Sequence, residues 1–300
     1  MEYIEEYTLR DMVRNNTDDP LSHFLLGDFL RKIGKYKEAR KEFLKALDII
    51  EKLDRDIIIF NVNIRDTIEN KLNNLELSPV QIISTKTRKY ETNVIINSLK
   101  DINFNNPKNV KILDLGAHLG VKTYSIAKYL RICPKNVTCV DIVREKVEFI
   151  RKSFNFNSYR VDIENEELPF DDKEFDLVIC NQVIEHLKNI NLPLSEIYRV
   201  LKDNGFLLIG VPNLAAFHNR ILILLGKQPV SMKLTSSHIR GFTPQGLKEY
   251  LERNNFGVIK FKGNGFYPFP IEIGRFLAKI FPTFSVFIYF LVQKKENDQT

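Results

Sequence analysis

Acidic or amide side chains follow several short apolar runs in the middle of the chain. Asp114 closes the run that begins at Lys111, and Asp141, Asp162 and Asn181 end three later runs. The carboxyl ends of parallel strands meet at one edge of a sheet, where doubly wound α/β folds bind their ligands. A row of carboxylates at that edge would accept hydrogen bonds from ribose hydroxyls and attract a cationic ligand.

The turn after Asp114 contains two glycines. Residues 110–120 read VKILDLGAHLG, with His118 between Gly116 and Gly120. Glycine adopts the positive φ of a tight turn and lets a ligand approach the backbone. A nicotinamide enzyme requires G-x-G-x-x-G, so that a helix N-terminus can approach a pyrophosphate. Here an acid precedes the first glycine and a histidine replaces the second. The turn therefore favours a nucleoside that carries a cationic group, and S-adenosylmethionine combines a sulfonium, an ammonium and a ribose diol.

Strand and helix patterns alternate around these residues. Strands are predicted at 111–115, 136–140, 158–161, 175–180 and 206–211, with helices at 121–130, 144–154, 193–201 and 244–253. Residues 202–205 are expected to form a turn, and strands at 256–261 and 285–292 complete the antiparallel side. Strands separated by helices of this size imply parallel βαβ units. We therefore expect an α/β fold: a doubly wound, Rossmann-like, mostly parallel seven-stranded sheet with a helical N-terminal extension.

Four stretches of this part together resemble the class I S-adenosylmethionine-dependent methyltransferases of the small-molecule type. They read VKILDLGAHLG, TCVDIVREKVEFIRKS, YRVDIENEELPFDDKEFDLVICNQVIEHL and EIYRVLKDNGFLLIGVPN. The resemblance runs from about Lys108 to Lys294. It implies S-adenosylmethionine as the cofactor. His118 departs from the commoner glycine of the family.

The residues that the resemblance assigns to the cofactor fall into two groups. One surrounds the methionine and methyl end and consists of Asp114, Gly116, His118, Gly120, Asn181 and Gln182. The other surrounds the nucleoside and consists of Asp141 for the ribose hydroxyls, Ile142 for stacking on adenine, Asp162 for the adenine amino group and Ile163 for backbone contacts.

Candidate acceptor residues follow the fourth strand and lie in an insertion at about 213–242. His186 comes where acceptors sit in this family, and its imidazole could take a proton from a hydroxyl or amine. An apolar run at 221–225 could form a lid over a lipid-like or aromatic acceptor. His238 and Arg240 are catalytic candidates, and Arg240 could hold an anionic group. In the alternative interpretation, Glu-His-Leu is simply frequent in the family, Arg240 pairs with an acid and His238 caps a turn.

The N-terminal part has a different pattern. Residues 1–15 have helical spacing, and 20–47 resemble one tetratricopeptide helix hairpin, with small residues at Gly27, Gly34, Ala39 and Ala46. Such repeats normally stack in about three copies, so a single hairpin would pack on neighbouring helices, expected at 55–72 and 79–99. We assign 1–75 to this extension and 76–300 to the methyltransferase domain. The hairpin could also bind a protein partner.

Composition and net charge exclude some classes of function. The chain has 300 residues, a net charge of +6 and three cysteines without a C-x-x-C pair. This predicts a protein of the reducing cytoplasm that binds neither a metal through its cysteines nor nucleic acid. The N-terminus has no signal-peptide pattern, and 276–292 is expected to be a buried strand. The aromatic loop 263–270 could contact the acceptor or a membrane surface.

The sequence therefore predicts in-line methyl transfer to an oxygen or nitrogen of a small or lipid-linked acceptor. One alternative is a protein methyltransferase recruited through the hairpin. Another is a non-catalytic scaffold that keeps the fold.

Overall fold

The computed structural model describes residues 4–33, 35–53, 58, 59, 62, 63, 68, 91–100, 102, 104, 109–234 and 236–295. The chain divides into two compact units, Met1–Asn93 and Val94–Thr300. The boundary predicted at residue 75 lies outside the described residues, as do Gly34 and most of the segment 54–90.

The first unit is mainly helical. Its helices are α1 (Ile4–Asn15), α2 (Pro20–Lys32) and α3 (Tyr36–Lys52), and two short strands, β1 (Ile58–Ile59) and β2 (Val62–Asn63), pair antiparallel. This strand pair contradicts the helix that the sequence predicts at 55–72. The chain then continues, after residues outside the described ranges, into α4 (Glu91–Leu99).

Helices α2 and α3 form the predicted hairpin. The Asp19 carboxylate caps α2 by accepting hydrogen bonds from the Leu21 and Ser22 amides, which are otherwise unsatisfied at a helix start. The seam is fully buried at Leu30 and Phe43. A Cβ on Gly27 would stand 2.7 Å from Phe43 Cδ1, so the missing side chain makes room for the phenyl ring. The hairpin is therefore present, and its relation to tetratricopeptide repeats stays a prediction.

The second unit contains a seven-stranded sheet. Its strands are β3 (Ile112–Leu115), β4 (Val137–Asp141), β5 (Asn157–Arg160), β6 (Phe175–Asn181), β7 (Leu201–Pro212), β8 (Phe256–Asn264) and β9 (Phe287–Lys294). The helices between them are α5 (Val121–Leu130), α6 (Arg144–Phe154), α7 (Asn191–Val200), α8 (Phe217–Leu224), α9 (Pro244–Arg253) and α10 (Ile271–Ile280).

The strand order is β5-β4-β3-β6-β7-β9-β8. The first five strands are parallel, and β9 runs antiparallel to both β7 and β8. This is the expected Rossmann-like, mostly parallel sheet, and the order reverses direction at β3. Ligands of such sheets bind beyond the carboxyl ends of the strands at this reversal. Strand β3 is completely buried, as its position in the middle of the sheet requires.

Two local predictions are wrong. Residues 202–205, expected as a turn, belong to β7, which begins at Leu201 and contains Asn204 at φ 60°. Residues 276–280, expected as part of a strand, lie in α10, and β9 begins only at Phe287. In the part of the chain that the structure describes, no helix has both the length and the apolar character needed to cross a membrane.

We expect Gly27→Ala to destabilise the protein by about 1–3 kcal/mol, because the added methyl group collides with the Phe43 ring. The measurement is urea unfolding followed by far-UV circular dichroism. Phe43→Leu in the same background should recover part of the loss, since it removes the colliding ring atoms. Strictly additive effects of the two substitutions would contradict this packing.

Candidate active site

Asp114 lies at the end of β3 and is almost completely buried. The Thr123 hydroxyl, on the first turn of α5, donates a hydrogen bond to Asp114 Oδ2. Burial raises the pKa of Asp114 to about 7, although the Thr123 hydrogen bond acts in the opposite direction. The carboxyl group is therefore close to half protonated at neutral pH. A cation placed beside it would favour the charged form.

The turn between β3 and α5 is held by Asp141, at the end of the neighbouring strand β4. Asp141 Oδ2 accepts a hydrogen bond from the His118 amide at 3.0 Å, and Oδ1 accepts one from the Val143 amide at 3.0 Å. The Lys146 ammonium lies 3.7 Å from the same carboxylate. Asp141 thus fixes two backbone turns, one on each strand.

Positive φ angles shape this turn. Gly116 has φ 69° and Gly120 has φ 71°, and exposed His118 between them has φ 54°. A Cβ on Gly116 would stand 2.5 Å from Val183 Cγ2, beyond the end of β6. Both glycines therefore do what the sequence predicts, whereas histidine tolerates the left-handed region at a small energetic cost.

The predicted nucleoside residues lie beyond β4 and β5. The Ile142 side chain is 52% exposed, which is unusual for isoleucine and leaves an apolar surface beside Asp141. Asp162 accepts hydrogen bonds from the Glu164 amide and from Asn165 Nδ2. Asp162 therefore organises its own turn, with Ile163 half-buried within it.

Asn181 and Gln182 follow at the end of β6. The Gln182 amide donates to the Gly210 carbonyl at 2.8 Å, and Gln182 has φ 58°. Its side-chain Nε2 is buried without a hydrogen-bond partner among the described residues. A buried amide without a partner costs free energy unless a ligand satisfies it.

Sequence reasoning missed Gly210. This residue pairs with Asn181 in the sheet, and a Cβ on it would overlap Asn181 Oδ1 and stand 2.7 Å from Tyr289 Cδ1. Its role depends on neighbours from β6 and β9, which the local sequence does not reveal.

The turn after β6 brings the acceptor candidates together. The Glu185 carbonyl accepts hydrogen bonds from the Ile239 and Arg240 amides, at 3.0 and 3.2 Å. This contact brings His238 against His186, and their ring centroids are 4.9 Å apart. Arg240 Nη2 instead donates to the Lys188 carbonyl at 2.8 Å.

Both imidazoles are oriented by backbone carbonyls. His186 Nδ1 lies 3.1 Å from the Ser237 carbonyl oxygen, and His238 Nδ1 lies 2.9 Å from that of Ser231. A carbonyl only accepts, so Nδ1 carries the proton in each of these hydrogen bonds. In the neutral rings, Nε2 is then the proton acceptor.

Glu185 adds a buried carboxylate to these two rings. Its Oε1 lies 4.0 Å from His186 Nε2, and ligand atoms of Glu185, His186 and His238 lie within 4.8 Å of one another. This spacing suits a divalent cation as well as a substrate hydroxyl. Cysteine spacing gives no sign of this group, and His238 lies more than fifty residues after Glu185 and His186 in the chain.

A cavity of about 850 Å³ lies between the insertion, α9 and the antiparallel strands β8 and β9. Its lining includes Leu214, Arg220 and Ile223 from the insertion, Lys248 from α9 and Phe261 from β8. Neither the cofactor candidates nor the acceptor candidates His186, His238 and Arg240 line it.

Comparison with known proteins decides the family. Residues 113–209 match the family described as a methyltransferase domain. The chain is 30% identical over 179 residues to a ubiquinone biosynthesis O-methyltransferase of Rickettsia prowazekii, across 56% of this chain and 67% of that protein. The Rickettsia bellii protein of the same name is 28% identical over 179 residues, across 57% and 71%. The chain belongs to the S-adenosylmethionine-dependent methyltransferases.

A solved structure agrees with this methyltransferase in fold. A complex of the Haloferax volcanii Trm112 methyltransferase activator with a methyltransferase matches at TM-score 0.53 and 14% identity, covering 72% of this chain and 94% of that one. At this identity the likeness shows the fold alone.

The strand ends of this methyltransferase fit S-adenosylmethionine. Buried Gln182 Nε2 offers a donor without a partner, Asp114 offers a carboxyl group that a cation would ionise, and Ile142 offers an exposed apolar side chain. These are the three kinds of contact that an amino acid joined to a nucleoside requires.

We expect Gly210→Ala to weaken S-adenosylmethionine binding by about tenfold or more, because overpacking of this kind costs about 1–3 kcal/mol and displaces Asn181. Isothermal titration calorimetry measures the affinity. Gly257→Ala is the matched control, since Gly257 also lies in a strand without positive φ and its added Cβ would come within 3.4 Å only of the flexible Lys295 side chain, at 3.1 Å from Cε. Equal losses in the two variants would contradict the role of Gly210.

Proposed function

We propose that this methyltransferase transfers a methyl group to a hydroxyl oxygen of a small or lipid-linked acceptor. The observation that carries the proposal is the meeting of His186, His238 and Glu185 beside the end of β6. Two relatives named O-methyltransferases support oxygen rather than nitrogen as the accepting atom.

In this proposal the residues at the strand ends hold the cofactor. Asp114 and Gln182 bind its amino-acid end, Asp141 receives the ribose hydroxyls and Ile142 covers the adenine. Asp162 and Ile163 contact the adenine edge. S-adenosylmethionine supplies a methyl group activated by a sulfonium, and the protein needs only to align the acceptor with it.

The acceptor side of the site would position a hydroxyl group and receive its proton. His186 Nε2 is the proposed proton acceptor, and the Ser237 carbonyl keeps this nitrogen free of its own proton. His238 packs against the first ring and limits its rotation. Much of the rate enhancement then comes from alignment, which supplies about 7–11 kcal/mol in favourable cases.

Arg240 has a less direct role in this scheme. Its guanidinium donates to the Lys188 carbonyl, and its backbone amide to the Glu185 carbonyl. We therefore propose Arg240 as a positioning residue that holds His238 in place. The sequence-based alternative, an ion pair with an acid, has no counterpart among the ion pairs of the described residues.

Apolar surface in the insertion favours an acceptor with a hydrocarbon part. Ile223 and Leu214 line the cavity, and Phe261 and Phe290 cover its other side. Arg220, Lys248 and Glu252 also line the cavity, and the Lys248 ammonium lies 3.8 Å from the Glu252 carboxylate. A lipid-linked hydroxyl compound has such a hydrocarbon part. Recruitment of a protein substrate through the α2–α3 hairpin remains an alternative from the sequence.

S-adenosylmethionine binding should depend on pH through Asp114. Because the pKa of this buried carboxyl is about 7, the free protein holds a proton there below pH 7 that an ammonium group would displace. We expect affinity to rise by up to tenfold per unit between about pH 5.5 and 7 and then to level off. Asp114→Asn should remove this dependence, as measured by calorimetry.

The same carboxyl predicts the opposite trend for the protein alone. Its pKa is raised in the folded state, so the folded protein binds more protons than the unfolded chain between about pH 4 and 7. Stability should therefore fall as pH rises through that window.

A cofactor affinity that is flat with pH in the wild type would refute the assignment of Asp114 to the cofactor. Asp141→Ala serves as the variant that abolishes binding.

We expect His186→Ala to lower kcat by about 100-fold or more, the usual contribution of a proton acceptor, with the S-adenosylmethionine Kd unchanged. The assay is methyl transfer to hydroxylated aromatic and lipid acceptors. Arg240→Ala should lower kcat by less than His186→Ala does, since it acts on His186 only through His238. Complete loss of wild-type activity on chelation of divalent cations would instead assign Glu185, His186 and His238 to a metal ion.

A further inference from the structure

In helix α10 the small residues are buried and large apolar residues are exposed, which is the reverse of the usual pattern. Its buried residues are the small ones, Gly274 and Ala278. Its large apolar residues point to solvent, with Ile273 50%, Phe276 62% and Ile280 51% exposed. These three are spaced i, i+3 and i+7, so they form one stripe. An exposed stripe of this size costs free energy in water and indicates an interaction surface.

A second apolar stripe lies on α8 and on Leu225, the residue that caps its C-terminus. Ile221, Leu224 and Leu225, spaced i, i+3 and i+4, are 42%, 85% and 65% exposed. The helix carrying this stripe lies beside the cavity, since Ile223 lines it.

Both helices pack on the same aromatic cluster. Phe217, at the start of α8, lies 5.6 Å from Phe266 and 6.4 Å from Phe284, measured between ring centroids. Gly274 of α10 packs on Phe266, because a Cβ there would stand 3.3 Å from the Phe266 backbone nitrogen. The two helices that carry the stripes therefore pack on one aromatic cluster.

The aromatic loop 263–270, which according to the sequence could contact the acceptor or a membrane surface, also packs against α8 and α10. Phe266 is 7% exposed and belongs to the cluster, and Phe269 is 36% exposed. The loop thus holds α8 and α10 in place, while the helices carry the exposed apolar surface.

Positive charge accompanies both stripes. Residues 213–242 contain Arg220, Lys227, Lys233 and Arg240 and no Asp or Glu, although the whole chain has a net charge of only +6. Helix α10 adds Arg275 and Lys279 against the single acid Glu272.

We propose that α8 and α10 form a docking face for the surface of an anionic lipid bilayer. The apolar stripes enter the boundary between headgroups and acyl chains, and the flanking Lys and Arg contact lipid phosphates. This combination of an apolar stripe with basic neighbours is what interfacial helices use. The face lies beside the apolar cavity, so a lipid-linked acceptor would reach the protein from the bilayer side. The docking itself does not depend on the identity of the acceptor.

A second copy of the chain fits this face less well. In a two-fold symmetric dimer the same patch meets itself, which would bring the acid-free segment 213–242 close to its own copy. Like charges facing each other across an interface oppose association. An anionic bilayer instead neutralises this charge.

The test is flotation of the full-length protein with vesicles of phosphatidylcholine alone or mixed with phosphatidylglycerol. We expect binding to the mixed vesicles that weakens with salt. The combined variant Leu224→Ser, Phe276→Ser and Ile280→Ser should lose about tenfold or more of this binding. Leu44→Ser with Leu53→Ser is the control, because both leucines are 42% exposed, Leu44 on α3 and Leu53 directly after it. Unchanged S-adenosylmethionine affinity shows that each variant is folded.

Charge reversal by Lys227→Glu with Lys279→Glu provides a second variant that leaves the apolar stripes intact. It should also release the protein from the mixed vesicles. Absence of wild-type binding, or equal loss in the Leu44 and Leu53 control, would overturn the proposal. So would a dimer in sedimentation velocity that the triple variant abolishes, since a second copy would then occupy the face.

Discussion

The hydrogen bonds that Asp141 accepts from two backbone amides are the constraint on which the candidate cofactor site depends. One amide belongs to the turn after β3 and the other to the turn after β4. A carboxylate that accepts from backbone N–H groups makes charge-assisted hydrogen bonds, which are stronger than neutral ones. One side chain therefore ties together the ends of two adjacent parallel strands. Gly116 and Gly120 contribute by adopting the positive φ angles that the backbone of this turn requires.

The acceptor side depends on a backbone contact of another kind. The Glu185 carbonyl receives the amides of residues 239 and 240, which lie more than fifty residues further along the chain. The insertion therefore returns to the sheet at a defined point. His186 and His238 meet because of this contact, and each ring is then oriented by a carbonyl of the insertion. The polar cluster is thus a product of tertiary structure.

Sequence alone predicted the elements that obey local rules. Helix α6 occupies the predicted residues 144–154, and α9 begins at Pro244 after Thr243, whose hydroxyl caps it by accepting from the Gly246 amide. Strand β7 was predicted too short, because 202–205 has the composition of a turn. Asn204 takes up positive φ there, and the pairing with β6 shifts register between Leu201 and Phe206.

What could not be predicted depends on contacts between distant segments. Residues 276–280 are as apolar as a buried strand, and only their neighbours decide that they form an exposed helix face. Gly210 has no local signal, since its close neighbours come from β6 and β9. The candidate cofactor residues lie at the turns after β3 to β6 and could be named from sequence motifs. The acceptor cluster could not be predicted from the sequence, because His186 and His238 meet only through the path that the insertion takes in the fold.

The insertion begins and ends at one place, because Asn213 and Phe242 form an isolated β-bridge. Asn213 is also fixed to the chain beside β9 through hydrogen bonds from its Nδ2 to the carbonyls of Thr283 and Ser285. A loop closed at its base can change in length at a small entropic cost. Its interior could therefore diverge during evolution, exchanging one acceptor for another, while the sheet and the cofactor turns stay the same.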